Sequence, residues 1–585
     1  MACAYKKQFF LLCFVLIMLL SCNGREDITI TILQTTDLHG AILPYDYIER
    51  CKTDVSLANI SGYIKKIRKQ RESLILLDGG DIIQGQPLVY YYNFIDTASN
   101  HIVSEAMNWL EYDAGTAGNH DIEAGHQVYD RLSEEFNFPW LGANAVNTLT
   151  GDPYFIPYVM IRKNNLKIAV LGLITPAIPL WLPEELYKGI EFRDMLETAR
   201  QWMPEIQKQD PDLIVGLFHS GWDSRDFKKN KPYSENGSAS VAYNIPGFDI
   251  IFTGHDHYYA NEQFVNRKGD TVLILNAGDR AEKIARADIT FSSSRINGKQ
   301  IKKITGSLID VSDFKPDREF TGRFSHQDHA VKEYVNMIIG SSENTVSTRD
   351  SYFGSSSFVD MIHTEQLKLT GADISFAAPF SFDASIEKGD IRVSDMFKLY
   401  RYENLLYTIN MSGEEIRKYL EFSYSGWLNT MNGPDDYMLN YQINKDGKPL
   451  LINGRAWLKN PVYDFDSAAG IEYVVDVRKP KGRRVIIKSM SDGRPFSRQA
   501  VYRVAVNSFR GNGGGGHLTR GAGIKAEEIP SRLLCSTRND MRYLMIESIK
   551  KKKNISPVPL NNWKIIPEDW VQIASKKEYR LLFGE

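Results

Sequence analysis

A chain of 585 residues with 43% hydrophobic and 24% charged content has the composition of an ordinary globular protein with ample core, and its length favours more than one domain. Seventy basic and 72 acidic residues leave a formal net charge of -2, which excludes a surface built to coat a nucleic-acid polymer. Any phosphate specificity must therefore reside in a local site.

Lys6 and Lys7 precede an apolar stretch over residues 9–20, too short to span a bilayer comfortably and suited to a signal-peptide core. Leu19-Leu20-Ser21-Cys22 then resembles a bacterial lipobox. Residues 1–22 are expected to be a lipoprotein signal peptide, with the lipid carried on Cys22 and a polar tether over residues 23–27. No later segment is long and apolar enough to cross a bilayer, so the expected relation to a lipid membrane is an acyl anchor, outside the cytoplasm. Of the five cysteines, only Cys51 and Cys535 remain in the folded body, either as a disulfide or as two buried thiols.

Residues 28–36 alternate and cluster β-branched side chains, then break at Asp37-Leu38-His39-Gly40. Residues 73–77 end at Asp78-Gly79-Gly80-Asp81, residues 212–218 at His219-Ser220, and residues 248–253 at Gly254-His255-Asp256-His257, while Gly118-Asn119-His120-Asp121 supplies a fifth motif. Helical stretches over residues 56–71 and 126–136 lie between them, the alternation of a layered α/β domain. One such motif is common by chance. Five in order at strand ends supply oxygen and nitrogen donors enough for two divalent ions, and point to a two-metal phosphoesterase. Asp81 is the natural bridging carboxylate, since one anionic oxygen between two dications sets a separation of about 3.5 to 4 Å. Asp37, His39 and His257 would complete one metal's shell, and Asn119, His219 and His255 the other. There is no glycine-rich Walker loop.

These motifs resemble the calcineurin-like metallophosphoesterases, specifically the 5'-nucleotidase family, over nearly the whole chain. The resemblance implies a four-layer αββα metallophosphoesterase sandwich over residues 27–323, a helical linker over 324–349 and a second, α+β substrate-binding domain over 350–585. It implies two divalent metal ions, commonly zinc or manganese, with magnesium, cobalt or iron compatible with the same donors. It places His120 in the catalytic position beside Asn119, with Glu123 as its acidic partner where the family usually carries aspartate. The implied reaction is direct in-line hydrolysis without a covalent nucleophile.

Residues 330–339 read as an amphipathic helical connector, on which His326 and His329 are expected to face solvent. Beyond residue 350, Tyr463-Asp464-Phe465-Asp466 and Val504-Ala505-Val506-Asn507-Ser508-Phe509-Arg510-Gly511-Asn512 resemble the substrate-binding loops of the same family. Phe465 and Phe509 are expected to sandwich a nucleobase, with Arg510 and Asn512 also binding substrate and Trp427 either flanking the base or in the core. Ala378-Pro379-Phe380-Ser381 replaces an arginine-bearing glycine stretch of 5'-nucleotidases, and Gly515 replaces a loop aspartate. These departures look closer to 2',3'-cyclic-nucleotide 2'-phosphodiesterase/3'-nucleotidases. A 5'-nucleotidase or UDP-sugar diphosphatase is the alternative within enzymes, and a nonenzymatic nucleotide-binding lipoprotein the alternative outside them. The basic cluster at residues 550–553 reads as a solvated helix end.

Overall fold

A computed structural model describes residues 27–70, 73–223, 225, 233–296 and 299–584. The expected signal peptide and Cys22 lie outside the described residues. Continuous apolar runs in the first half build two six-stranded mixed sheets. In one, Ile28–Thr35, Ser73–Asp78, Ala114–Thr116 and Trp140–Leu141 run parallel, and Lys283–Ile296 and Lys299–Asp310 add antiparallel strands. In the other, Leu166–Ile174, Leu213–His219, Ile250–Thr253 and Thr271–Ala277 run parallel between antiparallel edges Tyr158–Lys163 and Tyr259–Val265.

Side chains alternate across each strand, so each sheet buries two faces. Ile30, Ile32, Ile75 and Leu77 meet Val170, Val215, Leu217 and Phe252 in an apolar layer between the sheets. Leu33, Leu74 and Leu76 turn outward onto the helices Leu57–Lys69 and Ile102–Leu110. Leu171, Leu173 and Ile251 do the same against Met195–Lys208 and Ser238–Asn244. The layering is helix, sheet, sheet, helix.

The second half is α+β. A five-stranded sheet runs in the order Ser467–Ala469, Ile374–Ala377, Val501–Asn507, Leu405–Ser412, Leu533–Asp540, packed by helices Ser357–Thr370 and Gly413–Trp427. Ser412 caps the second of these helices by accepting from Glu415 N while Glu415 accepts from Ser412 N, which satisfies two otherwise orphaned donors.

Helix Ser325–Asn336 occupies the expected connector, with His326 and His329 exposed. The helix ends earlier than the amphipathic reading of residues 330–339 suggested. Exposed Ile338 and buried Ile339 open a strand instead, and Ile338–Ser342 pairs with Gly389–Arg392 and Asn554–Ile555 in the second half. Cys51 and Cys535 are both exposed and unpaired, so the body holds neither a disulfide between them nor buried thiols. No helix among the described residues is long and apolar enough to cross a membrane.

Candidate active site

The carboxyl ends of the parallel strands deliver the expected ligands to one place. Asp37 and His39 follow Ile28–Thr35, Asp81 follows Ser73–Asp78, Asn119 opens the short helix Asn119–Glu123 after Ala114–Thr116, His219 ends Leu213–His219, and His255 and His257 follow Ile250–Thr253. Five of these seven residues have left-handed backbone: Asp37 (φ 50°), His39 (47°), Asp81 (56°), His255 (78°) and His257 (58°). Such conformations cost on the order of 1–3 kcal/mol each and persist only where surroundings enforce them. Here the enforcement is visible. Asp37 N donates to Gly80 O at 2.8 Å and His39 N to Asp81 O at 3.0 Å. The buried Asp121 carboxylate accepts from the backbone N–H groups of Asp81, Ile82, Ile83 and Gly118 at 2.8 to 3.2 Å. Gly118 permits the close approach, because a Cβ there would lie 2.1 Å from Asp81 Oδ1.

The donor atoms form two groups, Asp37 with His39 and His257, and Asp81 with His219 and His255, each gathered within 4.8 Å. His257 Nε2 lies 3.4 Å from Asp37 Oδ1, and His219 Nε2 lies 3.2 Å from Asp81 Oδ2. Asn119 Oδ1 joins the second group, 2.7 Å from His255 Nδ1 and 3.2 Å from His219 Nε2. The groups adjoin, since His255 N donates to both oxygens of Asp37.

The donors fit divalent cations. His39 Nδ1 and His219 Nδ1 point at the carbonyls of Gln84 (3.1 Å) and Gly79 (2.7 Å), which sets each Nε2 as a lone-pair donor. His39 Nε2 faces His257 Nε2 at 3.1 Å. Burial pushes His39 down to about 3, so its ring is neutral. Burial pushes Asp37 and Asp81 upward, yet His257 and His219 hold Asp37 low, and His219 and His120 hold Asp81 well below the usual carboxylate range. Burial likewise pushes His219 down, but the Asp81 charge wins and raises it to about 9. That proton occupies the lone pair a cation would take, and cation binding displaces it. Carboxylates, imidazoles and an amide oxygen are a donor set that zinc, manganese and iron share.

His120 sits beside these groups, its ring edge-on to His39 with centroids 5.5 Å apart. Its Nδ1 is 2.5 Å from Glu123 Oε2, so glutamate spans the distance to the imidazole. Burial opposes the charged form, but Asp81 and Glu123 raise His120 to about 10. Trp181, in a loop the sequence did not single out, stacks on His255 at 5.5 Å.

All of this opens into a cavity of about 1000 Å³ between the two halves, lined by His39, Asn119, His120 and His257 on one side and by Phe380, Tyr402, Tyr463 and Phe509 on the other. Phe509 lines this cavity. Phe465 does not: it is 1% exposed, stacked at 5.0 Å and 7° on the equally buried Trp427, and belongs to the core. The ring presented to the cavity is Tyr463, two residues earlier and 37% exposed. Arg510 is buried and consumed by Asp464 and Asp466, at 3.0 Å each, and by the carbonyls of Tyr463 and Gly514. It fastens the two aromatic loops together while also lining the cavity. Asn512 is absent from the cavity wall and donates instead to Trp181 O at 3.4 Å, across the two halves.

Comparison with known proteins agrees with this architecture. The calcineurin-like phosphoesterase family model matches residues 30–259, and the model of the 5'-nucleotidase C-terminal domain matches residues 338–520. The chain is 25% identical to a 2',3'-cyclic-nucleotide 2'-phosphodiesterase/3'-nucleotidase of Haemophilus influenzae, over 93% of this chain and 88% of the relative. It is 26% identical to the trifunctional nucleotide phosphoesterase protein YfkN of Bacillus subtilis over 93% of this chain, and spans 39% of that longer protein. The solved structure of a 5'-nucleotidase precursor from Thermus thermophilus superposes with a TM-score of 0.61 at 20% identity, covering 92% of this chain and all of the other. The chain belongs to the calcineurin-like metallophosphoesterases of the 5'-nucleotidase family, and is a metal-dependent phosphoester hydrolase.

Proposed function

We propose that this enzyme hydrolyses nucleotides outside the cytoplasm, opening 2',3'-cyclic phosphates and then releasing the 3'-phosphate, in nucleotide catabolism and the scavenging of phosphate and nucleosides. One observation carries the reading: two cation-ready groups and an aromatic pair, Tyr463 and Phe509, open into one cavity. A base resting against those rings, at about 1 to 3 kcal/mol per stacked base, leaves its sugar phosphate to reach Asn119 and His120. Likeness to cyclic-nucleotide 2'-phosphodiesterase/3'-nucleotidases over nine-tenths of the chain supports the choice. So does Gly515, which stands where 5'-nucleotidases tend to carry an aspartate and beside which the Arg510 guanidinium packs, 2.1 Å from where a Cβ would lie.

Asp37, His39 and His257 would hold one divalent ion and Asn119, His219 and His255 the second, with Asp81 as the carboxylate shared by both and zinc or manganese the first expectation. Such a pair, when bound, supplies a water acidified toward neutral pH and a clamp on the phosphate oxygens. Glu123 keeps His120 protonated and oriented through Nδ1, which directs Nε2 to donate to the phosphoryl or leaving oxygen. Trp181 narrows the approach at His255. Lys6, Lys7, the apolar run over residues 9–20 and Cys22 support lipid anchoring to a bacterial membrane.

Side-by-side hydrolysis of 2',3'-cyclic AMP, 3'-AMP and 5'-AMP with manganese or zinc tests the reading. Preference for 5'-AMP would overturn it in favour of a 5'-nucleotidase. Asp81→Asn, which keeps the backbone preference at that position, should abolish turnover of all three while the protein remains folded.

A further inference from the structure

The carboxylates around the interdomain cavity are largely committed to partners: Glu49 to Lys398 at 2.9 Å, Asp383 to Arg349 at 2.7 Å, Asp464 to Arg510 at 3.0 Å and Glu235 to His255 at 3.1 Å. Two arginines on the same wall are not. Among the described residues the Arg401 guanidinium makes no ion pair or hydrogen bond, and Arg280 has only a loose 3.5 Å contact with its neighbour Asp279. Burial, and then the charge of Arg280, push Arg401 down from the ordinary guanidinium value, and the charges of Asp46 and Glu49 on the same wall offset this only in part. That is costly unless an anion completes the arrangement.

Both arginines are held in place. Arg401 projects from a turn fastened by the buried Arg542, which donates to the carbonyls of Tyr400 (2.8 Å) and Arg401 (2.6 Å) and pairs with Glu403 at 2.8 Å. Arg280 and Ala281 are consecutive non-glycine residues in left-handed backbone, φ 51° and 58°, with Arg280 N tied to Asp37 O at 2.8 Å. Backbone fixed at both roots limits where the two planar donor forks can reach, which suits phosphate recognition by arginine.

Position decides which phosphate. Arg280 flanks the first ligand group, since Asp279 lies 3.7 Å from His257 Nδ1. Arg401 flanks the aromatic side, since Tyr402 meets Tyr463 edge-on at 6.2 Å. An anion between them sits off the group being cleaved, which must meet Asn119 and His120.

We propose that Arg280 and Arg401, one from each half, form a second anion site for a phosphoryl group of the substrate other than the one hydrolysed, so that nucleotides bearing two separate phosphates are preferred. The proposal rests on the nucleotide-hydrolase reading above and adds a substrate class to it.

The test compares wild type, Arg280→Gln, Arg401→Gln, Arg401→Lys and the double glutamine variant on adenosine 3',5'-bisphosphate, 3'-AMP, 5'-AMP and p-nitrophenyl phosphate, with manganese present. Wild type should show a kcat/KM for the bisphosphate at least about tenfold above that for the faster monophosphate, carried by KM, as expected for a charge-assisted contact. That ratio should fall in each glutamine variant, approach one in the double variant and be partly kept by Arg401→Lys. A wild-type ratio near one would overturn the proposal. So would equal losses on bisphosphate and monophosphates, which would assign the arginines to the cleaved phosphate. Turnover of p-nitrophenyl phosphate without any nucleotide turnover would sink the nucleotide reading instead. The anion site is then judged by calorimetric titration with adenosine 3',5'-bisphosphate, where a Kd unchanged by Arg401→Gln would overturn it.

Discussion

Replacing Glu123 by glutamine isolates what its charge does for His120. The two side chains meet at 2.5 Å, and the glutamate is only 7% exposed. Burial alone would depress the imidazole, while the charges of Asp81 and Glu123 hold it up at about 10. Cations held by Asp81 absorb that carboxylate's charge, which leaves Glu123 as the imidazole's remaining anionic partner. A contacting opposite charge raises a pKa by about 1 to 3 pH units. The protonated imidazole supports turnover and disappears as pH rises through its pKa. Lowering that pKa makes the loss begin earlier, so the alkaline limb of kcat in Glu123→Gln should move down by about 1 to 3 pH units. Glu123→Asp, which withdraws the carboxylate by one methylene, should move it less. The assay is phosphate release from 3'-AMP and 2',3'-cyclic AMP between about pH 5.5 and about pH 10.5 at saturating manganese, with the melting temperature as a folding control. Superimposable limbs and equal kcat in a folded Glu123→Gln protein would refute the reasoning.

Two further outcomes follow from the second half. Tyr463→Ala should raise KM for nucleotides by about 5- to 150-fold, the worth of one stacked base, with little change in melting temperature, whereas Phe465→Ala should cost about 3 to 5 kcal/mol of stability read by denaturant unfolding. If Phe465→Ala instead raised KM in an otherwise stable protein, the placement of the two rings would be wrong. His363 is buried between the hydroxyls of Ser375 (2.9 Å) and Ser467 (3.1 Å), and burial pushes it from 6.5 down to about 3. The unfolded chain therefore binds a proton below pH 6.5 that the folded protein refuses, and at pH 5 this removes about 2 kcal/mol of stability. The stability gap between wild type and His363→Asn should shrink by that amount between pH 7 and pH 5, and a constant gap would count against a neutral buried ring.

The ligand motifs could be read because chemistry and chain geometry coincide there: each polar motif interrupts an apolar run at the point where a parallel strand ends. The same runs, alternating with helices, implied a layered α/β domain, and the four-layer arrangement came only with the family resemblance. The aromatic loops were less legible. Tyr463 and Phe465 lie two residues apart, and periodicity does not say which one a tight turn directs outward; Asp464 and Asp466 are both claimed by Arg510, and that pinning seats Phe465 against Trp427. Arg510 itself read as a substrate contact because its two carboxylate partners come from a loop more than 40 residues earlier. Arg280, Arg401 and Trp181 sit in no motif, and only the meeting of the two halves gives them a shared wall.

The left-handed backbone at Asp37, His39, Asp81, His255 and His257 governs how this centre can be dissected by mutagenesis. Aspartate, asparagine and histidine tolerate that region better than most residues, whereas alanine there adds a conformational penalty to whatever donor atom it removes. Alanine variants at these five positions thus report a blend of lost coordination and loop distortion. Aspartate-to-asparagine exchanges keep the backbone preference and change only the charge and one acceptor oxygen, which makes them the sharper scalpel.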